Sequence, residues 1–172
     1  MNSRIVRLII FIIVIFLIQY VVLAQFTDMT FKPDLLLVFI IAAAFLGDGM
    51  EGIYIGIACG AFVDITTTSG LGFYAFLGLS AALFAKIFNQ RLFRNNVFVF
   101  ILTTIYVSTA YEIIGFIFHS ILDFISGEGI SSIKDFTHYA MAYAAPVILA
   151  NGLAAAFIFY IVRGLFFMKR EY

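Results

Sequence analysis

Long apolar runs separated by short polar knots set the order of elements along the chain. Ile5 to Ala24 is the first run, 20 residues broken by Arg7 near its start and by Gln19 and Tyr20, about the length that crosses a hydrocarbon core of roughly 30 Å. "TDMTFKP", residues 27 to 33, is a polar connector ending in Pro33, a residue suited to the first turn of a new helix. Further apolar segments follow at 34–46, 52–66, 73–88, 97–125 and 143–162, parted by "GDGMEG", "TTTSGLG", "NQRLFRNN" and "SGEGIS". Ser132 followed by Asp135 reads as a helix start, and Ile133, Phe136, Ala140 and Met141 share one helical face. The pattern therefore predicts a short helix over 133–142 lying at the membrane interface. Pro146 falls in the first turn of the last segment, where a missing N–H matters least.

Segments 34–46 and 52–66 are short. At 1.5 Å per residue each covers only roughly 20 Å, so a re-entrant hairpin competes with two tilted or locally thinned spans. A hairpin tip would place Asp48 and Glu51 in lipid at roughly 2.5 to 3.5 kcal/mol per charge, which favours the spans. Arg4 and Arg7 stand at the start of the first run, which ends in "VLA", as a cleaved signal peptide would. It exceeds the roughly 7 to 15 residues of a signal core and further spans follow it, which favours a retained helix. The expected architecture is all-α: a polytopic membrane helix bundle of about six transmembrane helices, forming a single integral membrane domain over residues 1–172.

Composition strengthens this reading. Of the 172 residues, 64% are apolar and 12% charged, against roughly 45 to 50% and about 25% in soluble domains. The formal net charge is zero, which gives no pointer to nucleic acid. Cys59 is the only cysteine, so no internal disulfide or cysteine-pair metal site is available, and a lone cysteine of this kind packs as a small hydrophobe.

The placement of charge sets an orientation. With the N-terminus cytoplasmic, Arg4, Arg7, Lys86, Arg91, Arg94, Arg163, Lys169 and Arg170 all lie inside and only Lys32 and Lys134 outside, a strong positive-inside bias. Both termini are then cytoplasmic. The hairpin alternative has the same parity, so the bias does not choose between the two.

Orientation converts polar residues into depths. Glu112 lies 15 residues beyond the inner end of the fifth helix, roughly 22 Å along it, and His119 and Asp123 come nearer the outer surface. Asp64 ends the third helix and Asp34 begins the second at that level, with Asn151 in the outer half. Ser108, Glu112, Gly115, His119 and Asp123 are spaced 4, 3, 4 and 4, hence on one helical face. That face should turn toward the bundle, a partner or a water-filled pocket. Three readings compete: a metal or proton-relay site, which no motif such as HExxH supports; internal hydrogen bonds, such as Glu112 to Asn151; and a partner-binding or ligand-binding surface.

A second face is bare backbone. Gly52, Gly56, Gly60 and Asp64 recur every four residues in the third segment, and small residues at that spacing let helices approach closely. Gly78, Ala81, Ala82 and Ala85 on the fourth helix offer an internal mate. Packing alone leaves Asp64 unexplained, and the expectation is that it caps or hydrogen-bonds the "TTTSGLG" turn.

Enzyme signatures are missing: there is no phosphate-cradling loop, no GxSxG elbow and no HExxH site. An enzyme acting on lipid-linked precursors would need Arg or Lys beside an acid near a surface, and the outer face has only Lys32 and Lys134. The reading is non-enzymatic, with no cofactor and no metal.

"KPDLLLVF" at 32–39, the glycine ladder ending in "GAFVD" at 60–64, and "SGLGFYAF" at 69–76 resemble MreD, the rod shape-determining membrane protein family of bacteria. The similarity covers the layout of the chain and is sharpest from Pro33 to about Lys86. It implies a scaffold subunit of the cell-elongation complex in the bacterial inner membrane. Such a subunit would bind a single-span MreC-like protein and work with MreB filaments and a RodA-like glycosyltransferase with its transpeptidase in organising peptidoglycan synthesis. It also implies six helices in a fold similar to the substrate-binding components of energy-coupling-factor transporters. Matched onto this sequence, the family pattern points to Pro33, Asp34, Gly56, Gly60, Asp64, Gly70 and Gly72.

That fold kinship supplies a rival, a small-molecule-binding component of such a transporter, whose ligand would sit in an outer-leaflet pocket. By resemblance, those components dock a coupling subunit through small residues spaced by four on the first helix, and Ile5 to Leu23 contains none. The residues expected to pack helices or bind a partner are Pro33, Asp34, Gly52, Gly56, Gly60, Asp64, Gly70, Gly72, Glu112, His119 and Asn151, with membrane lipid as the surrounding medium.

Overall fold

A helix with no polar side belongs inside, and "LLLVFIIAAAFL" at 35–46 is such a helix. The computed structural model describes residues 3–25, 31–47, 50–66, 72–91, 96–127 and 133–164. The regular elements of those residues are all helical: α1 Ser3–Leu17, α2 Leu35–Leu46, α3 Glu51–Thr66, α4 Phe73–Arg91, α5 Val97–Ser126, α6 Ile133–Tyr139 and α7 Ala145–Val162. α2 is the axis of the bundle. It packs on α1, α3, α4, α5 and α7, and every residue from Leu36 to Phe45 is buried. Phe39 stacks edge-on against Phe11 of α1, and Phe45 against Phe100 of α5, which in turn meets Phe159 of α7.

Buried helix ends need partners for their free N–H and C=O groups, because lipid offers none. α2 gets them at both ends. Asp34 is its N-cap and accepts the Leu37 N–H at 3.0 Å, while Gln19 of the first helix accepts the Leu36 N–H at 2.9 Å. At the other end Asn89 of α4 donates its amide to the Phe45 carbonyl. Pro33 therefore precedes the cap and is not in the first helical turn: the Asp34 side chain reaches forward onto Leu37, and the helix begins after it.

α3 and α4 form the most extensive helix pair, and glycine is the reason. A Cβ at Gly56 would run into the Gly78 carbonyl and one at Gly78 into the Gly56 carbonyl, while one at Gly60 would meet the backbone of Tyr74 and Ala75. Gly52 faces the other way, onto the backbone of Ala44 in α2. The ladder thus packs internally against two neighbours, with Gly78 and Ala82 as its mates on α4, as the spacing predicts.

The last two elements differ from expectation. The helix predicted at 133–142 as a separate interfacial piece runs into the segment predicted at 143–162 through a π turn, Ala140–Ala144. Lys134–Val162 is one 29-residue apolar helical path. Pro146 explains the widened turn, since it offers no N–H and its ring crowds the carbonyl four residues back. Phe136 and Tyr139 pack on Phe116 of α5, which holds α6 against the bundle. α1 likewise ends in a π turn, Ile18–Val22, and a short 3-10 turn to Gln25.

Two helical stretches, Val97–Ser126 and Lys134–Val162, are long and apolar enough to cross a membrane, and shorter apolar helices cover Val6–Val21, Leu35–Leu46 and Phe73–Asn89. α2 to α5 lie within three residues of the expected segments, whereas α1 ends seven residues before Ala24 and reaches that point only through its π and 3-10 turns.

Candidate functional site

Three distant segments meet where α2 begins. Asn151 on α7, fully buried, accepts the backbone N–H of Asp34 at 2.6 Å and donates to the Ser108 hydroxyl of α5 at 3.1 Å. Gln19 donates to the Asp34 carboxylate at 3.0 Å. The result is a polar knot tying the π turn after α1 to α2, α5 and α7. The expected Glu112–Asn151 bond is not formed: Asn151 lies level with Ser108, one helical turn short of Glu112, and Glu112 instead accepts the Tyr139 hydroxyl at 2.5 Å.

Above the knot the helices part around a cavity of about 270 Å³. Its polar wall contains Gln19, Tyr20, Asp34, Tyr74, Tyr111 and Glu112, joined by His119 and Tyr139; Leu37, Ile40, Val63, Phe73 and Leu77 are among its apolar lining. Among the described residues, Asp34 and Glu112 are the only formally charged ones in that wall, and neither Lys nor Arg lines it. The α5 stripe explains how the wall is built. Ser108 is inside the bundle, Glu112, Gly115 and His119 line the cavity, and Asp123, farther along, does not. The Glu112–Tyr139 bond also borders a lateral apolar pocket of about 150 Å³, lined by Thr109, Ile113, Phe136, Ala144 and Ile148 among others.

Asp64 serves a different end. It is buried, and its two carboxylate oxygens accept the N–H groups of Tyr74 at 2.8 Å and Ala75 at 3.0 Å. Those are the second and third residues of α4, the donors that an N-cap side chain ordinarily serves. Gly72, at a positive φ of 102°, stands where the cap would be and has no side chain. The cap comes from α3 instead.

Of the predicted residues, Asp34, Gly60, Glu112 and His119 line the cavity and Asn151 sits in the knot beneath it. Gly52 and Gly56 are packing positions, Gly72 is an exposed turn, and Pro33 is half-buried ahead of the α2 cap. Gly70 lies outside the described residues, as does most of the "TTTSGLG" turn. Sequence reasoning missed the tyrosines and Gln19 as a group. Gln19 and Tyr20 were legible as the break in the first apolar run, whereas Tyr74, Tyr111 and Tyr139 look like lipid filler among 18% aromatics.

The model of the rod shape-determining protein MreD family matches residues 1–169. The chain belongs to the MreD family. Its membership carries a role in rod-shape determination as a membrane-bound structural component, and the apolar helices Val97–Ser126 and Lys134–Val162 fit that setting. No curated protein and no solved structure matches the chain.

Proposed function

We propose that this MreD-family chain is a non-enzymatic scaffold of the bacterial cell-elongation complex, a six-span inner-membrane bundle with both termini cytoplasmic. It binds a single-span MreC-like protein and, directly or through it, a RodA-like glycosyltransferase with its transpeptidase and MreB filaments. In this way it helps organise peptidoglycan synthesis. The observation that carries this reading is the family match over 1–169.

Geometry supports a location for the contact. The glycine seam and the Asp64 cap hold the end of α3 against the start of α4, and the residues turned outward there, Phe62, Ile65 and Phe76, are exposed and apolar. The seam and the cap fix the placement of these side chains, and a preorganised face loses less entropy on binding. The test is a mild-detergent pull-down of the tagged protein from its native cells with mass spectrometry. Recovery of MreC-like and RodA-like proteins is the expected result. Recovery of ATPase subunits with a coupling membrane protein would replace the scaffold by a transporter component.

A further inference from the structure

A scaffold requires no central cavity, yet this one has about 270 Å³ of space, near the small end of ligand pockets, which run from roughly 300 Å³ upward. We propose that the cavity is a binding site for a small organic cation with an aromatic or similarly flat apolar body, its ammonium group held by the Glu112 carboxylate and the surrounding phenols.

Three independent observations converge. Tyr20, Tyr74 and Tyr111 line the cavity, and their hydroxyls have no hydrogen-bond partner among the described residues, although Tyr111 packs against the core. Such hydroxyls can bond to water or to a ligand that displaces it. Second, the wall is rich in acceptors and, among the described residues, contains two carboxyl groups and no Lys or Arg. A donor-rich cation complements it, and a phosphate or carboxylate ligand is repelled. Phenol rings around an ammonium add cation–π attraction. Third, the π turn Ile18–Val22 places Gln19 and Tyr20 on this wall. Such turns cost helical regularity and recur at functional sites.

Gly115 completes the design. It lines the cavity, and a side chain added there would meet nothing within 4 Å. The space is kept open without any packing demand for glycine.

The test uses the purified full-length protein in nanodiscs and three probes of one shape: benzylamine, benzyl alcohol and benzoate. Saturable binding is read by calorimetry and by the shift in thermal midpoint. Benzylamine should bind about tenfold or more tightly than benzyl alcohol, with benzoate silent. Gly115→Leu, which fills the cavity, and Glu112→Gln, which removes the charge, should each weaken benzylamine about tenfold or more while the protein remains monodisperse. Absent benzylamine saturation, benzoate binding as tight as benzylamine, or unchanged binding in Gly115→Leu would each overturn the proposal. None of these outcomes bears on recovery of an MreC-like partner, so this inference and the scaffold reading fail separately.

Discussion

Asp64 accepts the backbone N–H of Tyr74 at 2.8 Å, and by that bond the last turn of α3 becomes the cap of α4. The neighbouring bond from Ala75 uses the second oxygen. A carboxylate at the end of a glycine face is thus explained by the helix it faces: Gly60 lets the backbones touch, and the acid one turn later satisfies the amides that this contact brings within reach.

Asp64→Ala should lower stability by about 1 to 2 kcal/mol, the usual effect of losing an N-cap acceptor. Asp64→Asn keeps one acceptor oxygen and should lose roughly half as much. Equilibrium unfolding in mixed micelles checks both. Equal stability of Asp64→Ala and wild type would show that the cap contributes nothing.

The glycine positions separate by what surrounds them. Gly60→Leu drives a side chain into the Tyr74 backbone and should exceed the roughly 1 to 3 kcal/mol of ordinary overpacking, leaving little folded protein on size-exclusion. Gly115→Leu enters open space and should give near wild-type yield. Similar yields for the two would contradict the seam.

Asn151→Leu removes the acceptor for the Asp34 N–H and the donor to Ser108. Leaving such buried groups unmet costs about 1 to 3 kcal/mol. In a double-mutant cycle with Ser108→Ala the coupling should be smaller, about 0.6 kcal/mol, as for interhelical hydrogen bonds in membranes. Zero coupling would place the two residues in separate environments.

Glu112→Gln retains a carbonyl oxygen to accept the Tyr139 hydroxyl, so the fold and rod shape should persist when the variant replaces the wild type in cells. Loss of rod shape at normal protein levels would instead assign the Glu112 charge to the scaffold role.

Much of this was legible in the sequence because packing in an apolar bundle leaves few options. The glycines at 52, 56 and 60 forecast a seam, and Gly78 and Ala82 were identifiable as mates because they repeat the same spacing. A bonding role for Asp64 was legible, but its expected partner was the "TTTSGLG" turn, and the N–H groups it accepts are those of Tyr74 and Ala75, just beyond that turn. What stayed hidden depends on relative helix height. Whether Asn151 meets Ser108 or Glu112 is decided by one turn of offset between α5 and α7, and no pattern along either helix encodes it. The π turn at Ala140–Ala144 was equally hidden: Pro146 signals a helix start or a widened turn with the same letter. The α5 stripe left a water-filled pocket among its options, but the tyrosines of the cavity read one at a time as filler and become a wall only when four helices converge.

The most direct test of the scaffold account is site-specific photo-crosslinking in native cells, with benzoylphenylalanine placed singly at Ile65 and at Phe157. These residues are equally exposed, at 74% and 75%, but Ile65 stands beside the Asp64 cap and Phe157 on α7. The account predicts an MreC-like adduct from Ile65 and none from Phe157. An MreC-like adduct from Phe157 alone, or from neither position in a folded protein, would contradict it.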